Sequence, residues 1–382
     1  MRITALRTYV VPPRWLFLKI ETDEGVSGWG EPILEGHART LAAKVAEYAD
    51  FLIGQDPARI TDIWQMLYRN GCYRGGPVLM SALAGIDMAL WDIRGKVLGQ
   101  PVHGLLGGRV RDRIRAYTWI GGDRGETRIE DAKRAREAGF GMVKFNVGPE
   151  LAMIGGRAAV DGIVTAIGDL RDAMGPEFDL AVDFHGRASV AMARVLLKEL
   201  EPIHPIFVED PVLPDQIDAM CDLARATPIP LACGERLHSR AAFKPVFEGR
   251  AASIVNPDTA HVGGITEMLR IGAWAETYDI AIAPHCPLGP IALAACLQVD
   301  ALCHNAAFQE YAAGIHYNGA VGHADYLTDP SVLTADGGWM TIPDGPGLGI
   351  GIDEAAVEAR AAEGHDWRAP VWRHDDGSIA EW

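Results

Sequence analysis

Asp183, Glu209 and Glu235 stand 26 positions apart, each closing an apolar run: Leu180-Ala181-Val182, Ile206-Phe207-Val208 and Leu231-Ala232-Cys233-Gly234. Three carboxylates brought to one place repel one another unless a cation lies among them, and their hard oxygen ligands suit Mg²⁺. The same interval continues. Asp258 follows Ser253-Ile254-Val255-Asn256, His285 follows Ile280-Ala281-Ile282-Ala283-Pro284, and Glu310 follows Ala306-Ala307-Phe308-Gln309, at steps of 23, 27 and 25 residues. An imidazole with an ordinary pKa of about 6.5 is a base suited to neutral pH. A carboxylate beside it fixes its tautomer and stabilises its protonated form. The set could therefore remove a proton next to a substrate carboxylate. Asp183, Glu209 and Glu235 would hold Mg²⁺, His285 would act as base and Asp258 would orient it. Glu310, if protonated, would hydrogen-bond the enediolate that forms.

Further residues extend this chemistry. His185 lies two positions past Asp183, and period-two alternation predicts that both point to the same mouth. An acid there could protonate a leaving hydroxyl, and a base at one carbon with an acid at the next gives β-elimination of water. Lys144 and Asn146 share a face of one strand-like run, where a lysine could bind an anion. Any one of these residues alone reads more simply as a helix cap, a loop residue or a surface lysine. Six ionisable groups in phase make that reading untenable for the set. Cys286, next to His285, points to the opposite face of an extended strand and is a poor nucleophile candidate.

Residues this far apart meet only if the elements between them return the chain to the same place. A strand of about 5 residues, a helix of about 11–12 and two short loops make about 25 residues. Strand-like runs near 114–119, 142–146, 179–183, 206–209, 230–233, 253–256, 280–284 and 306–310 alternate with helix-like runs. The pattern predicts a modified (β/α)₇β barrel of the TIM type over residues 113–320, whose strand ends converge on one mouth. Residues 1–112 read as an α+β domain. A hairpin turns at Asp23-Glu24-Gly25, helices follow near 37–53, 57–70 and 78–98, and Asp56-Pro57 reads as the cap and first residue of the second helix. Residues 321–382 are turn-rich, and Trp367, Trp372 and Trp382 predict a tail that packs onto the rest.

Composition bounds the partners. With 382 residues and 48% hydrophobic content the chain can bury a large core. A net charge of −16 argues against nucleic acid and anionic membranes, though not against a small anion bound through a metal. Six cysteines without a CxxC pair read as reduced thiols of a cytoplasmic protein. No signal peptide or spanning segment is visible.

The triad Asp183, Glu209 and Glu235, the Asp258–His285 pair and Glu310 together resemble the enolase superfamily, in its mandelate-racemase-like subgroup. The resemblance covers essentially the whole chain. It implies a capping domain built from the N-terminal region and the C-terminal tail, and a homo-oligomer. Many members carry a second lysine base where Asn146 stands, so the resemblance implies one base and one substrate configuration. Pro12-Pro13-Arg14-Trp15, Asp183-Phe184-His185-Gly186-Arg187, Ala283 to Pro290, Gly314-Ile315-His316-Tyr317-Asn318 and Trp372-Arg373-His374 are similar to the galactonate dehydratases of that subgroup. That likeness implies a sugar-acid substrate and Mg²⁺-dependent loss of water, with His285 taking the C2 proton and His185 protonating the 3-hydroxyl. It also implies cap loops that set specificity, for which Arg14-Trp15 and Tyr73-Arg74-Gly75-Gly76 are the candidates. Two departures, Asp210 and His238, lie near the mouth. They leave open another aldonic acid, such as gluconate or a pentonate. A barrel that binds metal and ligand without catalysis is the alternative of a different kind.

Overall fold

The structure is a computed structural model that describes residues 1–122, 125, 127–148, 150–312, 314 and 321–381. The first part of the chain forms an antiparallel sheet of β1 (Ile3–Val11), β2 (Trp15–Thr22) and β3 (Ser27–Gly30), ordered as in the sequence. The β2–β3 turn closes at Gly25, whose N–H donates to the Thr22 carbonyl at 3.2 Å. Helices α1 (Ala38–Leu52), α2 (Ile60–Arg69) and α3 (Pro77–Leu98) pack beside this sheet. A Cβ on Gly30 would meet the Gly85 carbonyl oxygen at 1.9 Å, so glycine is what lets β3 lie directly on α3. Asp56-Pro57 does not start α2. Asp56 Oδ1 accepts from the Ala58 N–H at 3.0 Å and makes a turn of its own, and the helix begins three residues after Pro57 at Ile60.

A short helix α4 (Val102–Leu105) leads into the alternating region. Its strands are β4 (Arg113–Ile120), β5 (Met142–Asn146), β6 (Asp179–Asp183), β7 (Phe207–Glu209), β8 (Leu231–Cys233), β9 (Ile254–Val255), β10 (Ala281–Ile282) and β11 (Gln309–Tyr311). Between them run α5 (Arg128–Glu137), α6 (Arg157–Met174), α7 (Val190–Leu200), α8 (Ile217–Ala226), α9 (Arg240–Gly249), α10 (Ile265–Glu276) and α11 (Pro290–Asp300). All the strands from β4 to β11 pair in parallel, β11 returning to β4, and a parallel bridge between Ile282 and Ala306 closes the curl. This is the (β/α)₇β barrel that the spacing predicts. β12 (Trp339–Thr341) adds to β4 in the antiparallel sense.

The tail then returns to the N-terminal domain. α12 (Glu354–Ala362) lies beside β1, and the Tyr326 hydroxyl donates to the Pro12 carbonyl at 2.7 Å. Trp367 stacks under Arg14 and Trp372 under Arg187, with guanidinium-to-ring distances of 5.4 and 4.6 Å. Trp382 and the motif residues Ile315 to Asn318 lie outside the described residues. The glycine-rich stretch near 345–349 is a structural return: the Val102 N–H donates to the Gly347 carbonyl and the Gly347 N–H to the Gln100 carbonyl.

Candidate active site

One layer of side chains plugs the barrel: Tyr117, Met142, Ala181, Phe207, Ala232, Ile254 and Ala283, with Phe308 against them. Each of the eight strand runs contributes one. Successive inward positions on a strand are two residues apart. Two residues beyond the plug therefore lie Trp119, Lys144, Asp183, Glu209, His285 and Glu310. At the other two positions, however, stand Gly234 and Asn256. The in-phase reading thus fails for Glu235 and Asp258, which lie one and two residues further on.

The backbone brings these two in. Gly234 adopts φ 147°, a conformation L side chains rarely take, and swings Glu235 to the mouth. Asn256 ties its strand end to the neighbouring strand, donating through Nδ2 to the Ala283 carbonyl at 3.0 Å. Asp258 is then anchored by the Ala260 N–H, 2.6 Å from Oδ1. His185 also arrives by a turn. β6 ends at Asp183, and His185 sits at φ 50° with its N–H donating to Asp183 Oδ1 at 2.8 Å. Strand alternation does not place it; a left-handed residue does.

The gathered groups interlock. His285 Nδ1 lies 2.8 Å from Asp258 Oδ2, and its Nε2 lies 3.2 Å from Glu235 Oε2. Burial disfavours the imidazolium, but Glu235, then Asp258 and Glu310, outweigh it and hold His285 well above its ordinary pKa. Lys144 is buried, not a surface lysine, and its ammonium lies 3.0 Å from Glu209 Oε2, 3.1 Å from Glu310 Oε1 and 3.4 Å from Asp183 Oδ2. Burial opposes that charge as well, and Glu209 and Glu310 more than restore it. Glu310 accepts at both oxygens, from Lys144 and, at 3.0 Å, from the Cys286 N–H. The donor beside it is Lys144.

The acidic cluster fits a cation. Among the described residues the buried Glu209 Oε1 has no hydrogen-bond partner, and Asp183 Oδ2 and Glu235 Oε2 face only the imidazoles of His185 and His285, each at 3.2 Å, and, for Asp183, the Lys144 ammonium. Burial, and then Asp183, Glu235 and Glu310, push the Glu209 carboxyl well above the usual range against the pull of Lys144. Burial acts the same way on Asp183 and Glu235, but their histidine neighbours hold both below it. Crowded carboxylates of which one is forced toward its neutral form are short of positive charge, and a divalent cation supplies it. Among the described residues Asp183, His185 and Glu235 form a set of possible ligands whose ligand atoms lie within 4.8 Å of one another. Glu209 stands outside that set, its Oε2 drawn to Lys144.

These groups open onto a cavity of about 370 Å³, which Arg14, Lys144, His185, Glu235, His285 and Glu310 line. That is within the range of small-molecule sites. Asn146 does not line it; its side chain lies behind Trp119, whose indole N–H donates to Oδ1 at 3.4 Å. The two cap segments expected at the mouth reach it only in part: Arg14 lines the cavity, and so does Pro77, the residue after Gly76. Trp15 begins β2 and turns into the cap, fully buried against Phe17 and Tyr326, and Tyr73 is 90% exposed. The rest of the cap wall is built by Leu34, Glu35 and His37, facing His238 and His261 of the barrel. His261 Nε2 lies 3.6 Å from Glu35 Oε2 and 3.7 Å from Asp258 Oδ2, and its Nδ1 lies 3.0 Å from Ser81 Oγ. Sequence reading passed over His261; its only signal is its position three residues past Asp258. Burial, then His261, lowers His238 to about 4. Asp210, the other departure, is paired with Arg236 Nη2 at 2.6 Å.

The barrel, its cap and the carboxylate-ringed mouth define a class. Residues 4–107 match the mandelate racemase / muconate lactonizing enzyme N-terminal domain, and residues 127–356 match the enolase C-terminal domain-like family. The chain belongs to the enolase superfamily, in its mandelate racemase-like branch. It is 55% identical over 382 residues to a D-galactonate dehydratase of Ralstonia pickettii (strain 12J), and 54% identical to one of Ralstonia nicotianae (strain ATCC BAA-1114 / GMI1000). Both matches cover all of both chains. Among solved structures, an enolase from Agrobacterium radiobacter with bound Na and L-malate superposes with a TM-score of 0.90, at 30% identity over 100% of both chains. An enolase-superfamily member from Salmonella Typhimurium gives 0.87 at 27% identity, covering 94% of this chain and 97% of that one. No described helix is long and apolar enough to cross a membrane.

Proposed function

We propose that this chain is a hydro-lyase that converts D-galactonate to 2-dehydro-3-deoxy-D-galactonate and water, with Mg²⁺ as its cation. The observation that carries the reading is the Asp258–His285 pair, 2.8 Å apart, with the other imidazole nitrogen turned to the carboxylate cluster and the cavity. Full-length likeness to D-galactonate dehydratases supports the substrate.

Mg²⁺ held by Asp183, Glu209 and Glu235 would supply Lewis-acid stabilisation of the charge that develops on the substrate carboxylate. The chain's own groups do the rest. His285 Nε2 takes the C2 proton, and Asp258 holds the imidazole by Nδ1 and stabilises it once protonated. Lys144, fixed by Glu209 and Glu310, donates a hydrogen bond to the enediolate, with Glu310 setting its direction. His185 gives its proton to the 3-hydroxyl, which leaves as water as the C3–O bond breaks. The enol left behind takes a proton at C3 and becomes the 2-keto product. Asn146 is buried and has no basic group, so the chain offers one base, and one C2 configuration is used. Arg14 and the polar cap wall face the remaining hydroxyls.

In this reading residues 1–112 and 321–382 cap a barrel of residues 113–320. The enzyme works in the cytoplasm as a homo-oligomer, and its six free cysteines suit a reducing compartment. The test is a proton NMR time course of D-galactonate with enzyme and Mg²⁺ in D₂O. Loss of the C2 proton with growth of a 3-deoxy methylene is expected. A silent spectrum overturns D-galactonate and sends the question to gluconate and the pentonates. Chelation by EDTA should abolish the reaction and added Mg²⁺ restore it; activity that survives chelation overturns the metal assignment.

A further inference from the structure

The two loops that carry the dyad each run into a helix that lacks a cap of its own. The loop bearing Asp258 enters α10 at Gly264, and the loop bearing His285 enters α11 at Gly289; neither N-cap residue has a side chain to offer. The first N–H groups of a helix need acceptors, above all when buried. Here the acceptors come from the N-terminal domain. Glu31, fully buried, accepts from the Gly289 N–H at 2.7 Å through Oε1 and from the Ala292 N–H at 3.0 Å through Oε2. Asp87, on α3 and 1% exposed, accepts from the Thr266 N–H at 3.0 Å through Oδ2.

The segment between His285 and α11 is held at every step. The Cys286 N–H goes to Glu310, the Pro287 carbonyl accepts from Arg14 at 3.3 Å, and the Leu288 carbonyl lies 2.8 Å from His323 Nε2. Apart from Glu310, every group in this clamp comes from the N-terminal domain or the tail. The cavity residue Glu35 is four positions past Glu31 on the same segment. Docking the cap and aiming the base are therefore one event.

We infer that Glu31 and Asp87 are positioning residues: they cap α11 and α10 from the neighbouring domain, and so set where His285 and Asp258 stand relative to the substrate. The inference rests on the reading of His285 as the base. It goes beyond that reading by making the cap part of the machinery of proton abstraction as well as the wall of the cavity. A base displaced by about 1 Å costs on the order of 10²-fold in rate while leaving substrate contacts in place.

The experiment uses the full-length, Mg²⁺-loaded protein and D-galactonate, protonated or deuterated at C2. Glu31→Gln leaves one of two N–H groups facing an amide donor, and Asp87→Ala removes its acceptor. Each should lower kcat by about ten- to a hundred-fold, with KM changed less than about threefold. Each should also raise the primary isotope effect on kcat, because proton abstraction becomes the slow step. Asp87→Asn, whose amide oxygen still accepts, should recover most of the loss. A merely structural role would reduce the amount of active enzyme and leave KM, the isotope effect and the alanine–asparagine difference unmoved; that result overturns the inference. If the carboxylate variants do not accumulate as folded protein, His323→Phe gives the same readout. It keeps the ring packing against Trp15 and Tyr311 but deletes the donor to Leu288. An unchanged kcat and isotope effect there also overturns the proposal. Failure of the underlying reading looks different, because the parent enzyme would then leave D-galactonate untouched or a His285→Asn variant would still dehydrate it.

Discussion

The mouth of the barrel is assembled in two ways. Lys144, Asp183, Glu209 and Glu310 stand on strands, each two residues above a side chain that plugs the lumen. Glu235, Asp258 and His185 stand beyond the strand ends and are delivered by backbone turns: φ 147° at Gly234, the Asn256 tether and φ 50° at His185. The strand-borne set gathers charge, an ammonium among carboxylates that a cation would complete. Of the loop-borne set, Glu235 completes the acidic cluster, while Asp258 and His185, with His285, handle protons. Strand positions are locked by pairing on both sides and tolerate little adjustment. Loop positions can be tuned, and they are tuned here by contacts from another domain.

The comparison can be broken experimentally, and the base is the hardest blow. His285→Asn should cut dehydration by about 10²–10⁴-fold. Mg²⁺ binding, measured by calorimetry, should persist, because the metal carboxylates are untouched. Activity at a tenth of the parent or more would remove His285 from the mechanism.

Next comes the turn that delivers Glu235. A Cβ on Gly234 would meet the Asn256 backbone at 3.0 Å, on top of a φ that alanine resists. Backbone strain of this kind costs about 1–3 kcal/mol. Gly234→Ala should therefore raise the Mg²⁺ concentration for half-maximal activity by roughly tenfold, with the folded far-UV spectrum kept. An unchanged metal requirement would mean that Glu235 does not depend on this turn.

The strand-borne half should answer differently. Ile254→Val trims the lumen plug directly below Asn256. It should cost about 0.5–1.5 kcal/mol of stability in urea unfolding and leave kcat and the metal requirement alone. A change in kcat larger than the stability loss would show that the plug also tunes the mouth.

The smallest effect concerns pH. His238 is lowered to about 4, by burial first and then by His261. A histidine depressed below its unfolded value of about 6.5 binds fewer protons folded than unfolded. Its contribution to stability is therefore whole above about pH 6.5, falls as the pH drops to about 4, and is flat below. His238→Gln should flatten that limb of the thermal unfolding profile. An unaltered limb would assign it to other groups.

What could be read in the residues follows this same division. The strand-borne groups were legible because a strand's period is two and a β/α unit's length is about 25, so residue type and spacing alone place Lys144, Asp183, Glu209 and Glu310 at one mouth. Glu235 and Asp258 were named for their interval, but the route that brings them in was not legible. It depends on a glycine dihedral and a side-chain tether between strands. His185 was expected in the right place for the wrong reason. The cap wall was legible only at Arg14, which lines the cavity. Trp15 and Tyr73 were the conspicuous residues, yet nothing in the chain's order says that Trp15 faces the cap core or that Glu35 and His261 meet.

The residue sequence by itself determined the barrel, the helices that space it and the set of groups able to gather a cation and move a proton. Those depend on local periodicity and chemical type. Only the tertiary structure decided how the set is aimed. Glu31 lies 258 positions before the Gly289 N–H it accepts from. Contacts at that separation leave no trace in spacing, because they exist only once one folded domain has docked on another.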